Sequence, residues 1–272
     1  MLRQDLKRGF TSWAFWLGAG IFAISMIYMC TQFAVAGEAA CTPLSGFEGA
    51  FYAEMMFFPA LLSVLPLGTC FYDEFNSHFY RFSVPRLGWR RFMVKRILSS
   101  ALLGGLVVML PVLATLLFCY QHFQIIPTGI RAATFFDVNC EFPMLHAWVP
   151  GGLAQVEAFT PMDHVRMEAL FSAAWLLRFF VFGACWSQLG LAVSAWTDEW
   201  ASVLVIPLVT FVFINWFGEW LHIPFMMLRG TILMEGELLF QPYWFSALLP
   251  LAWGALFILI FMLGMRRRRS LG

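Results

Sequence analysis

The chain has 272 residues, of which 61% are hydrophobic and 12% charged, and its formal net charge is +1. A soluble domain carries about 25% charged residues, so this chain lacks the polar surface a globule needs. A charge balance near zero argues against a nucleic-acid binder, and the positive mean hydropathy defines an all-α integral membrane protein.

The first ten residues are short and basic, with Arg3, Lys7 and Arg8 against Asp5. They lack the small-residue cleavage site of a signal peptide, and the uncharged run that follows is too long for one. Residues 11–36 therefore read as a first, uncleaved span, since about 20 apolar residues cross a bilayer core. Residues 37–50 form a loop with Glu38 and Glu48 and no Lys or Arg. The second span is expected at 51–72, with Glu54 near one end and Pro59 and Pro66 inside. Proline is tolerated in a membrane helix when neighbouring groups satisfy the freed carbonyls.

A third span is expected at 97–119, with Gly104 and Gly105 as close-packing positions. Residues 120–170 are acidic and broken by Pro127, Pro143, Pro150 and Pro161, which gives an external loop with short helices. A fourth span is expected at 171–196, a short connector at 197–201, and a fifth span at 202–221. Residues 222–245 are moderately apolar but carry Arg229, Glu235, Glu237 and Pro242, so they read as a surface or re-entrant segment. A sixth span at 246–265 ends in Arg266 to Arg269. The whole chain, 1–272, is one transmembrane domain.

Charge asymmetry sets the orientation. With a cytosolic N-terminus, the inner segments collect thirteen of the 17 Lys and Arg. The outer segments hold only Arg131, Arg166 and Arg229, which satisfies the positive-inside rule. Six spans return both termini to the cytosol of a multi-pass protein in the plasma membrane of a bacterial cell.

Little soluble mass is left for catalysis. No GxxxxGK[ST] phosphate loop, HExxH or GxSxG occurs, so the common ATPase, metalloprotease and hydrolase signatures are missing. The chain reads as a conduit with no enzymatic activity, cofactor or metal of its own. Histidines are scattered singly near span ends. The six cysteines show no CxxC pair. Most lie in apolar runs as small hydrophobes, while Cys41 and Cys140 fall in expected outer loops, where a disulfide is possible. Four polar groups lie at apolar depth: Glu54, Arg178, Asn215 and Glu219. Such groups either line a pathway, pair with one another or reach the interface.

Residues 70–98 are the polar interruption between spans two and three. Arg86, Arg90, Arg91, Lys95 and Arg96 suit an anionic lipid surface. Asp73 and Glu74 are expected at the start of a short amphipathic helix, where acids suit the positive end of the dipole. Phe71, Phe75, Phe79 and Phe82 make one apolar stripe, and Val84 before Pro85 ends the helix.

This order and spacing resembles the permease subunits of ABC type-2 exporters. In that family an acidic residue closes the second span, a coupling helix follows, and a Pro-x-Arg-like turn leads to basic residues before the third span. Here those places are taken by Asp73-Glu74, the helix to Ser83, Val84-Pro85-Arg86 and Lys95-Arg96. The resemblance implies an ATP-driven exporter in which this chain forms the translocation path with a second permease copy or paralogue. A dimer of cytosolic ATP-binding subunits, carrying ATP and Mg, would dock on Asp73, Glu74, Phe75, Phe79, Arg81, Phe82 and Arg86. The outer loop at 120–170 is longer than the family's small loop. Two other classes compete with this reading. One is a membrane scaffold or immunity-type protein that does not pump. The other is an ion-coupled secondary transporter using Glu54, Arg178 and Glu219, which the lack of visible inverted repeats weakens.

Overall fold

The structure, a computed structural model, describes residues 2–35, 47, 57–77, 88–122, 161–221 and 244–270. Their regular structure is helical: α1 (Leu2–Thr11), α2 (Trp13–Val35), α3 (Phe58–Asn76), α4 (Trp89–His122), α5 (Pro161–Trp196), α6 (Trp200–Trp220) and α7 (Trp244–Ser270). Five of these, α2, α4, α5, α6 and α7, are long and apolar enough to cross a membrane. The helix α3 carries Asp73 and Glu74 in its last turns and is not among them.

Length decides what each helix can do. At 1.5 Å per residue α2 is about 35 Å long, close to the hydrocarbon thickness of a bilayer. By the same rise α4, with 34 residues, and α5, with 36, are about 50 Å long and must project beyond it. The excess of α4 is its first two turns, where Arg90, Arg91 and Lys95 sit before the apolar run. The excess of α5 lies at the opposite end, from Pro161 onward. Proline at a first helical position lacks only an N–H that would be unpaired anyway.

Three expected spans agree with the helices to within about two residues, α2 for 11–36, α6 for 202–221 and, at its start, α7 for 246–265; α7 continues to Ser270. The other boundaries move. The helix of the expected third span starts at Trp89 instead of 97, and that of the expected fourth at Pro161, so 161–170 belong to a helix instead of the outer loop. Of the expected second span, 58–72 are helical in α3, while 51–56 lie outside the described residues. So do the outer loop at 123–160 and the segment 222–243.

Contacts along the seams give the directions. Ser100 meets Ser187, Gly104 meets Gly183, Gly105 meets Phe180 and Tyr120 meets Ser172, so α4 and α5 are antiparallel. Gly254 lies on Cys185 and Gly264 on Trp196, so α5 and α7 are parallel. Gly18 packs on Leu62 and Phe22 stacks on Phe58, which sets α2 against α3. The helices therefore alternate, with α3, α5 and α7 pointing one way and α2, α4 and α6 the other. Consequently α1, the start of α4 and the end of α7 share one end of the bundle.

The core centres on α5, which packs on α4, α7, α3 and α6. Trp186 is its middle: it stacks on Phe182 and meets Phe211 and Phe257 edge-on at 5.6 and 5.4 Å. The α4–α5 seam is the tightest, because a Cβ on Gly183 would lie 2.4 Å from the Gly104 carbonyl oxygen. That approach exposes backbone polar groups to one another, and Ser187 Oγ donates to the Ser100 carbonyl at 2.9 Å across it. Small residues with interhelical hydrogen bonds are how helices associate without a hydrophobic driving force between them. By contrast α2 and α6 turn broad apolar faces outward, including Trp13, Ile24 and Tyr28 on one and Val209, Phe213, Trp216 and Trp220 on the other.

Candidate functional site

At the α1 end of the bundle, three helices bring four charges together. Arg96 of α4 is buried, with its side chain only 3% exposed. Its Nη1 pairs with Asp5 Oδ1 of α1 at 3.1 Å, and its Nη2 donates to Glu74 Oε2 of α3. The second Glu74 oxygen, Oε1, takes Arg8 Nη1 at 3.0 Å, and Arg8 reaches solvent. The signs alternate through Asp5, Arg96, Glu74 and Arg8, so the cluster is neutral as a unit. The Arg96 guanidinium also lies 5.4 Å from the ring centroids of both Phe71 and Phe92, a cation–π arrangement strengthened by desolvation.

Local sequence explains how each group arrives. Phe71 and Glu74 are three residues apart on α3, and Phe92 and Arg96 four apart on α4, so each ring shares a helix face with its charge. A bend at Ser12 separates α1 from α2. It is held by Ser12 N–H to Gly9 O, Phe15 N–H to Ser12 O, and the Trp16 indole donating to Phe10 O at 2.6 Å. Gly9 lets α1 lie against α4, since a Cβ there would fall 2.2 Å from Leu103 Cδ1. Gly88, with φ of 76°, supplies the left-handed turn into α4 that other residues adopt reluctantly.

Burial pushes the Asp5 carboxyl above its ordinary value of 3.8; Arg96 opposes this, and the nearby Glu74 charge adds to it. Two atoms of the cluster, Asp5 Oδ2 and Arg96 Nε, have no hydrogen-bond partner among the described residues. The same end carries two further ties. Tyr72 Oη donates to the Asp198 carbonyl at 2.6 Å, joining α3 to the α5–α6 connector. Arg267 lies over the Trp196 ring, whose indole donates to Ile260 O.

The expected docking residues divide. Asp73 is exposed and Glu74 is largely enclosed. Neither starts a separate helix: both occupy the last turns of α3, which closes with Ser77 N–H on Asp73 O. These acids therefore sit at the negative end of a helix, not at the positive end expected for them, and Arg96 and Arg8 provide the compensating charge for Glu74. Phe71, expected in the apolar stripe of the connecting helix, lies in α3, is 1% exposed and packs on Phe92 and Phe261. The Phe75 side chain, and Phe79, Arg81, Phe82 and Arg86, lie outside the described residues.

Of the polar groups expected at apolar depth, Arg178 is partly buried on α5. Asn215 donates to the Phe211 carbonyl one turn back at 2.8 Å. Glu54 and the Glu219 side chain fall outside the described residues, as do Cys41 and Cys140. Among the described residues no three His, Cys, Asp or Glu groups come together to hold a metal.

Sequence reasoning missed the roles of Asp5 and Arg96, and α1 as a docked helix. The signal was available: Asp5, Glu74 and Arg96 each lie within about three turns of an apolar run at what the alternation makes the same end. Compared with protein-family models, curated proteins and solved structures, the chain matches none.

Proposed function

We propose that this chain is the transmembrane subunit of an ATP-driven exporter of the ABC type-2 kind, with the α1 end of the bundle in the cytosol. One observation carries the reading. The two residues that bracket the segment between α3 and α4, Glu74 before it and Arg96 after it, are ion-paired to each other and to α1. A short basic connector clamped at both ends can pass a push from a partner into two helices at once. An unclamped loop would absorb it.

In this reading α3, together with residues before it, is a sixth span, and both termini are cytosolic. The segment 78–87, with Phe79, Arg81, Phe82 and Arg86, and the exposed Asp73 receive the ATPase dimer. Glu74 acts from within, by fixing the end of α3. ATP and Mg are held by the partner, and a second permease copy or paralogue completes the path. Interior aromatic surface suits an apolar or amphipathic cargo better than a strongly charged one.

Affinity purification of the full chain from native membranes tests this. The expected result is a stoichiometric partner with a phosphate-binding loop and ATPase activity, lost on Arg81→Glu while membrane insertion persists. Recovery of the chain with no nucleotide-binding partner refutes the proposal.

A further inference from the structure

At the end of the bundle opposite the charge cluster, two cysteines from different helices touch. Cys30 lies five residues before the end of α2, and Cys119 three residues before the end of α4. These helices run in the same direction, so both thiols lie about one turn from the same face. Both side chains are fully buried, and their sulfurs are 3.6 Å apart. Two of the six cysteines in the chain, 89 positions apart, meet at van der Waals distance.

We propose that Cys30 and Cys119 form a redox site, closing to an intrachain disulfide that ties α2 to α4. A disulfide needs its sulfurs at about 2.05 Å, so the contact must shorten by about 1.5 Å, which rotation about the Cα–Cβ bonds and a small helix shift supply. The oxidant is a small apolar disulfide, since both thiols are fully buried among apolar helices and a charged reagent would be excluded. Cys119, nearer its helix end, loses its proton and attacks one sulfur of the reagent, releasing the first small thiolate. Cys30 then loses its proton and attacks the Cys119 sulfur of the mixed disulfide, expelling the rest as a second thiolate. Two electrons pass from the protein dithiol to the reagent, and the two protons end on the released thiols. Burial disfavours the thiolate and makes the first step slow; the position near the helix ends brings it within reach of water. The pairing does not rest on the transport reading. Only the assignment of this end to the cell exterior does.

Full-length protein in native membranes, with Cys41, Cys70, Cys140 and Cys185 replaced by Ala, is treated with 4,4′-dithiodipyridine. The expected result is release of two thiopyridones per chain, loss of both maleimide-reactive thiols, and a peptide pair joining Cys30 to Cys119 that separates on reduction. In a Cys119→Ala chain the second thiopyridone is lost. The same linked peptide is sought in the oxidised wild-type chain, so the result stands even if the substituted chain folds poorly. Two outcomes overturn the proposal: thiols that survive the reagent in membranes and alkylate fully after denaturation, or separate stable adducts on Cys30 and Cys119.

Discussion

Replacing Arg96 with Met keeps an unbranched apolar stem but removes the guanidinium and its charge. The carboxylates of Asp5 and Glu74, 4% and 12% exposed, then face each other with only the exposed Arg8 for compensation. Removing one partner of a buried ion pair costs about 3–5 kcal/mol, because the other charge is stranded. Protonation sets a ceiling: neutralising an ordinary carboxyl at pH 7 costs about 4 kcal/mol, at 1.36 kcal/mol per pH unit. Asp5 starts from a raised position and needs less. The alternative outlet is release of α1 from α4. The expected loss is therefore about 3 kcal/mol of α1 docking, or roughly a hundredfold rise in the undocked population. Leu6, partly buried against the core, can report it as Leu6→Cys in an otherwise cysteine-free chain, through its labelling rate with a membrane-impermeant maleimide. The triple substitution Asp5→Asn, Glu74→Gln, Arg96→Met should restore most of the docking, since replacing a whole buried ionic cluster is often nearly neutral. Unchanged labelling in Arg96→Met, or a triple variant no better docked than the single one, would mean that the ion cluster does not hold α1 in place.

Three further outcomes are expected. Because the Asp5 carboxyl is raised in the folded chain, that chain holds its proton to higher pH than the unfolded one. The contribution of Asp5 to stability then falls as pH rises from about 3.8 through the native value and levels off above it. Asp5→Asn should flatten that part of a melting-temperature profile against pH, and a profile identical to the wild type counts against it. Gly183→Val should cost about 3 kcal/mol by detergent thermal unfolding, since its side chain meets a carbonyl that cannot move aside; a neutral result would mean the seam is looser. Tyr72→Phe removes the bond to the Asp198 carbonyl and should cost about 1 kcal/mol in the same assay, with hydrogen exchange rising first in the α5–α6 connector.

Much of the architecture was legible because apolar length is a local property. Twenty uncharged residues announce a span wherever they occur, which is why α2, α6 and the start of α7 fall within about two residues of expectation. Helix ends that leave the apolar zone give no such signal. The first two turns of α4 are as basic as a loop, and those of α5 as acidic as one, yet both continue their helices. The site was harder still. Arg96 reads as a lipid anchor when judged by its neighbours in sequence. Its buried pairing depends on Asp5 and Glu74, which lie 91 and 22 positions away and meet it only when three helices assemble. Composition identified the acids, but which end of which helix they occupied depended on where α3 stopped.

The glycine and serine seam between α4 and α5 has a mechanical consequence. Pro111 is a weak point in α4, whereas α5 has no proline after its first residue. Interlocked along their length, the two behave as a splinted strut: α5 stiffens its partner against buckling at Pro111. A load applied at Trp89 then arrives at His122, about 50 Å away, as an axial shift of the pair with little bending. The helices left to yield sideways are α2 and α6, whose outer faces are uncovered among the described residues.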